Sequence, residues 1–145
     1  ADSLADNRVI EFKDDYGDGI SLTIQALFPN VVLQQIQNTL ATRQIVTRGI
    51  ADTEVVWTFF GYVGESEAVR THRLRNINLV GPAGFISMED GEAVEIVQQG
   101  LVGVEAGTTS VLAMGGDSDD DLDRLGMDEN SVRGFWRGYR EFMAL

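Results

Sequence analysis

From residue 20 to residue 28, apolar Ile20, Leu22, Ile24, Ala26 and Phe28 alternate with Ser21, Thr23, Gln25 and Leu27. A period of two is that of a half-buried strand. Pro29-Asn30 punctuates it. Residues 31–46 are rich in β-branched and amide side chains, and their alternation breaks near Asn38-Thr39. They are expected to form two strand segments, or one long strand with a bulge. Thr47-Arg48-Gly49 turns the chain, and residues 53–62, dense in Val, Trp, Phe and Tyr, predict another strand. Ahead of these, residues 1–19 are polar and acidic and end in the turn signal Tyr16-Gly17-Asp18-Gly19.

The pattern then changes. Ser66 is placed to cap a helix running to about Leu79, with Glu67 near its positive end. Gly81-Pro82-Ala83-Gly84-Phe85 breaks that helix, and a second is expected from about Met88 to Gln99. A loop at 103–107, a short strand at 108–114 and an acidic loop at 117–123 lead to a last helix from about Asp128 to Met143. In it Val132, Phe135, Trp136, Tyr139, Phe142 and Met143 recur at helical spacing, so they are expected to be core. Arg133, Arg137 and Arg140 share one flank. Strands followed by helices, with no βαβ rhythm and no repeat, predict an α+β fold: an antiparallel β-sheet with helices packed on it.

Composition narrows this picture. The 145 residues fit a single domain, 1–145, and 43% hydrophobic content suits a buried core. A net charge of −12 repels phosphate backbones and anionic lipid, so no nucleic acid or membrane partner is expected. There is no cysteine, which excludes disulfides and any cysteine-ligated zinc or iron–sulfur centre within this stretch. No apolar run approaches the ~18 residues of a membrane span. The first residues lack the pattern of a signal peptide and read as a segment entered mid-protein, with the cytoplasm as the expected compartment.

One acidic residue stands out. On a wheel of about 100° per residue with Asp90 at zero, Val97 falls at about 340°, Leu101 at about 20° and Val94 at about 40°. Glu92, Gln99 and Glu95 lie on the far side. Asp90 is therefore central on the apolar stripe, where a carboxylate needs a partner. Three partners suit it: the capping box Ser87-Met88-Glu89-Asp90, an arginine from elsewhere, or a metal. The single histidine, His72, is expected to be a solvated surface residue in the charged helix. Asp117, Asp119 and Asp121 have the one-three-five spacing of a calcium loop, but Leu122 stands where glycine is required and Asp128 where the bidentate glutamate belongs. A solvated loop is the better reading. There is no Gly-rich phosphate loop, and no Ser-His-Asp set assembles around His72.

Five pieces in order carry a resemblance: Phe28-Pro29-Asn30, Glu54-Val55-Val56-Trp57-Thr58, Arg73-Leu74-Arg75-Asn76, Gly81-Pro82-Ala83-Gly84-Phe85 with Asp90 and Glu92, and Arg133-Gly134-Phe135-Trp136-Arg137. Together they resemble the C-terminal part of the catalytic domain of Rieske non-haem iron aromatic-ring-hydroxylating oxygenase α subunits, from about Gly17 onward. The run 34–43 looks most like members acting on aromatic carboxylates, the terephthalate, salicylate and anthranilate oxygenases.

The resemblance implies a helix-grip (START-like) catalytic domain, present in part, with Asp90 as the carboxylate of a two-histidine, one-carboxylate Fe(II) site. The histidines and the [2Fe-2S] Rieske cluster would lie outside this chain, which alone should be inactive. It also implies a pocket lined by Leu22, Ile24, Gln34, Val80 and Ile86, for which ordinary core packing is the competing reading of the four apolar residues. Arg43 would anchor a substrate carboxylate, or else pair with one of the 23 acidic residues. Partners implied are the aromatic substrate and O2, other α subunits in a trimer, a small β subunit, and a ferredoxin or NAD(P)H reductase. The competing function is a non-catalytic module in which the same cavity holds an apolar ligand without metal. A third is a structural fragment whose Asp90 merely caps a helix.

Overall fold

The computed structural model describes residues 4–105, 107–108 and 130–145. The acidic loop with its calcium-like spacing, and all but the first residue of the strand expected at 108–114, lie outside them. The chain divides into two compact units, Ala1–Gly103 and Val104–Leu145.

The first unit is built on four antiparallel strands in sequence order: β1 (Leu22–Leu27), β2 (Val31–Ile36), β3 (Thr39–Thr47) and β4 (Thr53–Phe60). The broken alternation of 31–46 is a hairpin, not a bulge. Gln37 and Asn38 form its tight turn, with Gln37 at φ 52 in the left-handed region. Gly17 and Gly19 adopt positive φ in the turn expected there. The register aligns Ile24, Gln34, Ala41 and Phe59 in one row and Ala26, Val32, Arg43 and Trp57 in the next. Residues directly opposite on antiparallel strands share a face, so both rows lie on one side of the sheet.

Helix α1 (Glu67–Val80) starts as expected, with the Ser66 hydroxyl accepting from Val69 N at 3.3 Å. Its inward stripe is polar, which overturns the surface assignment of His72. His72 is 2% exposed, and its Nε2 lies 3.0 Å from Glu11 O and 3.2 Å from Asn38 Oδ1. Two acceptors at one nitrogen require Nε2 to carry the proton and donate. Arg73 is buried beside it, with Glu65 at 2.9 Å, Asp15 at 2.7 Å and Asn38 O at 2.5 Å. Asn76 Nδ2 donates to Val9 O at 3.0 Å. The acidic N-terminal segment thus supplies carbonyls and a carboxylate to a polar helix face. These bonds make burial tolerable.

Helix α2 (Phe85–Leu101) begins at Phe85 rather than near Met88, because Gly84 is its N-cap. The capping box on Ser87 therefore does not form. Ser87 Oγ donates instead to Val80 O at 3.1 Å, tying α2 to the end of α1. The apolar stripe of α2 is present but uncovered: Val94 is 68% exposed, and among the described residues α2 buries no side chain. Asp90 is likewise exposed, not enclosed in a core.

The second unit contains α3 (Asn130–Met143). Its aromatic stripe forms, with Trp136 edge-on to Phe135 at 5.6 Å and to Tyr139 at 5.4 Å. It is not core as expected, since Val132, Trp136, Phe142 and Met143 all remain exposed. Periodicity fixes which residues share a face but not what covers that face. No helix among the described residues is long and apolar enough to cross a membrane.

Candidate functional site

The junction between α1 and α2 sets the site. A Cβ on Gly84 would lie 2.6 Å from the Leu79 carbonyl carbon and oxygen, and one on Gly81 would lie 2.6 Å from Ile77 O. Real Cβ contacts are never that short, so both positions require glycine for the close approach of two backbones. Gly81 N donates to Ile77 O at 2.7 Å and Gly84 N to Gly81 O at 2.8 Å, closing the turn. Starting α2 at Phe85 phases the helix so that Ser87, Asp90, Gly91 and Val94 share one face.

That face and the sheet enclose an open cleft of about 440 Å³. Arg43, Thr53, Val55 and Trp57 line it from β3 and β4, and Pro82, Ser87, Asp90, Gly91 and Val94 line it from the junction and α2. Arg43 is half-buried, and its guanidinium carbon sits 5.2 Å from the centroid of the Trp57 ring. Burial pulls the Arg43 pKa down from its usual value, and the nearby Asp90 charge opposes that shift. Among the described residues the Asp90 carboxylate accepts no hydrogen bond and joins no ion pair. Neither the capping partner nor a salt-bridged arginine is supplied to it. The cleft thus pairs one cation and one anion at longer range, across a space large enough for a small ring.

Of the residues expected at the site, Asp90 and Arg43 meet across this cleft. Gln34, Ile24 and Leu22 lie on the same face of the sheet, toward β1. Gln34 is 5% exposed, with neither amide atom partnered, while Leu22 and Ile24 are exposed. Val80 is buried at the end of α1 and Ile86 is exposed at the start of α2; neither lines the cleft. Trp57, Thr53 and Val55 were not anticipated. Their signal lies in the register, which sets Trp57 directly opposite Arg43, and pairing cannot be read from one strand alone. Val94, at about 40° from Asp90 on the wheel, was in plain view.

No protein-family profile matches the chain. Whole proteins do. It is 44% identical over 141 residues to the terminal oxygenase component subunit alpha 2 of terephthalate 1,2-dioxygenase from Comamonas sp, covering 97% of this chain and 34% of that protein. It is 41% identical over 141 residues to the anthranilate 1,2-dioxygenase large subunit of Burkholderia cepacia, covering 97% of this chain and 33% of that subunit. It is 34% identical over 140 residues to the large oxygenase component of salicylate 5-hydroxylase from Ralstonia sp, covering 96% and 33%. The chain belongs to the Rieske oxygenase large subunits. It spans about a third of the length of the curated relatives it matches. The four-stranded antiparallel sheet with helices fits the α+β catalytic domain expected of the family.

Membership implies a mononuclear iron and a Rieske [2Fe-2S] cluster. Among the described residues no three His, Cys, Asp or Glu side chains come together as a metal site. Asp90 fits one position of such a set. It is an uncommitted carboxylate on a rigid helix, facing a cleft that opens to solvent. His72 does not fit, because its ring is buried in the polar cluster under α1 and does not line the cleft.

Proposed function

We propose that this chain forms one wall of the catalytic pocket of a ring-hydroxylating oxygenase large subunit, and that Asp90 is the carboxylate ligand of its iron. The observation that carries the reading is the Asp90 carboxylate, free of hydrogen bonds and ion pairs among the described residues, standing across the cleft from a half-buried arginine. With Gly84 capping α2, Asp90 has no capping role to fill, and its place on the cleft wall leaves the carboxylate accessible to a metal. Two histidines from the remainder of the large subunit complete the set. Iron held there would supply the activation of dioxygen for hydroxylation of an aromatic ring. Electrons reach it from NAD(P)H through a reductase or ferredoxin and a Rieske cluster, in a trimer of large subunits with or without a small β subunit.

The substrate is an aromatic carboxylate. The three relatives are named for terephthalate, anthranilate and salicylate, each a benzene ring bearing a carboxylate. In this chain Arg43 supplies the matching cation, and its planar fork suits bidentate binding. Gln34 offers a donor and an acceptor to a second polar substituent, while Leu22 and Ile24, on the same face of the sheet, extend the apolar wall. The cleft residues hold the ring, and the substrate carboxylate on Arg43 fixes its orientation toward Asp90.

The test is Asp90→Ala in the full-length large subunit. Iron content should fall to background while the absorption and electron paramagnetic resonance spectra of the cluster persist. Iron retained at the parent level would remove Asp90 from the metal site and leave the apolar-ligand-binding module as the better reading.

A further inference from the structure

Arg43 emerges from β3 with four rotatable side-chain bonds into an open cleft, yet carboxylate recognition needs its fork held in one plane. Nothing polar holds it. Among the described residues its guanidinium donates no hydrogen bond, and its Nε is buried without an acceptor. What it does have is a floor. Trp57 stands directly opposite in the β3–β4 register, and the guanidinium lies over its ring at 5.2 Å from the centroid. The Trp57 ring is in turn stacked on Phe59, with centroids 5.7 Å apart and planes 17° from parallel. Phe59 has room to stack because its own cross-strand partner is the small, buried Ala41. On one face of the sheet the indole therefore meets the guanidinium across the strands and the Phe59 ring along β4.

We propose that Trp57 is a positioning residue for Arg43, and that through it the β4 aromatic pair sets the preference for carboxylated over uncharged rings. This rests on the reading of Arg43 as the carboxylate anchor. Stacking on an aromatic face fixes a guanidinium without occupying its in-plane N–H groups, so the terminal nitrogens stay available to an incoming carboxylate. A hydrogen-bonding partner would fix the arginine equally well but would compete with the substrate. Trp57 also lines the cleft, so the part of its effect that runs through Arg43 is the part felt by the acids and not by the esters; it touches no reacting atom.

The experiment uses the complete oxygenase with its reductase. Terephthalate, anthranilate and salicylate are each compared with the corresponding methyl esters, by kcat/KM and by equilibrium binding calorimetry. Arg43→Leu comes first: the acid-over-ester preference should collapse, and if it stands, the anchor reading fails and this proposal with it. Given that collapse, Trp57→Leu should weaken acid binding roughly tenfold. The loss should appear in KM rather than kcat, and should exceed any loss shown by the esters. Trp57→Phe should recover most of it. In the Arg43→Leu background, Trp57→Leu should cost acid binding no more than it costs the esters. Equal losses for acids and esters, or an undiminished effect in that background, would overturn the proposal while leaving Arg43 as the anchor. Should Trp57→Leu yield no folded protein, Trp57→Phe decides alone. A two- to threefold loss for the acids beyond any shown by the esters supports the proposal, and an equal loss for both refutes it.

Discussion

Gln34 is a buried amide with nothing to bind. At 5% exposure, with Nε2 and Oε1 both unpartnered among the described residues, it forfeits hydration without recovering a bond. Such a group destabilises a fold by about 1–3 kcal/mol, so its place on the cleft side of the sheet argues for a ligand. Replacing it with leucine separates stability from function. Gln34→Leu in the full-length subunit should leave the denaturation midpoint unchanged or raise stability by about 1 kcal/mol. The same variant should lower kcat/KM for an aromatic acid bearing a second polar group. A variant that is both less stable and unchanged in kinetics would make Gln34 a structural residue satisfied by water. At this scale Asp90 could be found from sequence because a charge on an apolar stripe is conspicuous, and Arg43 because it ends a run that resembles the carboxylate-acting oxygenases. The isolation of Asp90 could not be. It depends on Gly84, not Ser87, capping α2, and glycine competes poorly as an expected cap when a serine stands three residues on.

At the scale of elements, the Gly81–Gly84 turn determines which face of α2 meets the sheet. Gly84→Ala would push a methyl group to within 2.6 Å of the Leu79 carbonyl, a backbone contact with no flexible side chain to yield. The variant should destabilise the domain by about 2 kcal/mol or more, and the partial rotation of α2 that relieves the clash should also cut iron content. A Gly84→Ala protein with parental melting temperature and full iron would mean that the turn does not set the helix. Strands β1 and β4 followed from periodicity and composition, whereas the break near Asn38-Thr39 suited a bulge as well as the hairpin that β2 and β3 form. Helix α1 was placed correctly, yet its inner face was misread. A wheel detects an apolar stripe, and here the buried stripe is His72, Arg73 and Asn76, held by partners 34 to 67 residues away. Long-range hydrogen bonds leave no local periodic mark.

That polar stripe carries its own pH signature. The Arg73 guanidinium beside Glu65 holds the Glu65 carboxyl below its usual range, with the Tyr62 amide and Arg70 adding to the effect. A carboxyl depressed in the folded state contributes stability that is whole above the unfolded pKa, about 4.3, and is lost as pH falls through the lower folded value. Denaturation midpoints should therefore drop more steeply below about pH 4.3 in the parent than in Glu65→Gln. Parallel curves for the two proteins would show that Glu65 contributes nothing to acid sensitivity.

For the molecule as a whole, the decisive feature is the apolar surface left open. Val94, Val97 and Leu101 on α2, Leu22 and Ile24 on β1, and Phe142 and Met143 on α3 are all exposed. Exposed apolar patches of this kind mark surfaces that meet other protein. The net charge of −12 opposes their coalescence between copies but cannot hydrate them. The curated relatives are about three times the length of this chain, which gives those surfaces a candidate cover within the same polypeptide. Residues 1–145 produced alone should therefore bind a hydrophobic fluorescent dye strongly, self-associate more as salt screens the charge, and retain no Fe(II) on dialysis. The full-length subunit, despite its greater length, should bind less dye per molecule and keep its iron. Salt dependence is the informative axis. Hydrophobic association restrained by like charge grows as the Debye length shrinks from roughly 30 Å at 0.01 M to roughly 8 Å at 0.15 M. A 145-residue chain that stays monomeric and dye-silent across that range would mean that these faces close on themselves. Asp90 would then stand on the wall of a self-contained cleft, not on one that other parts of the subunit complete.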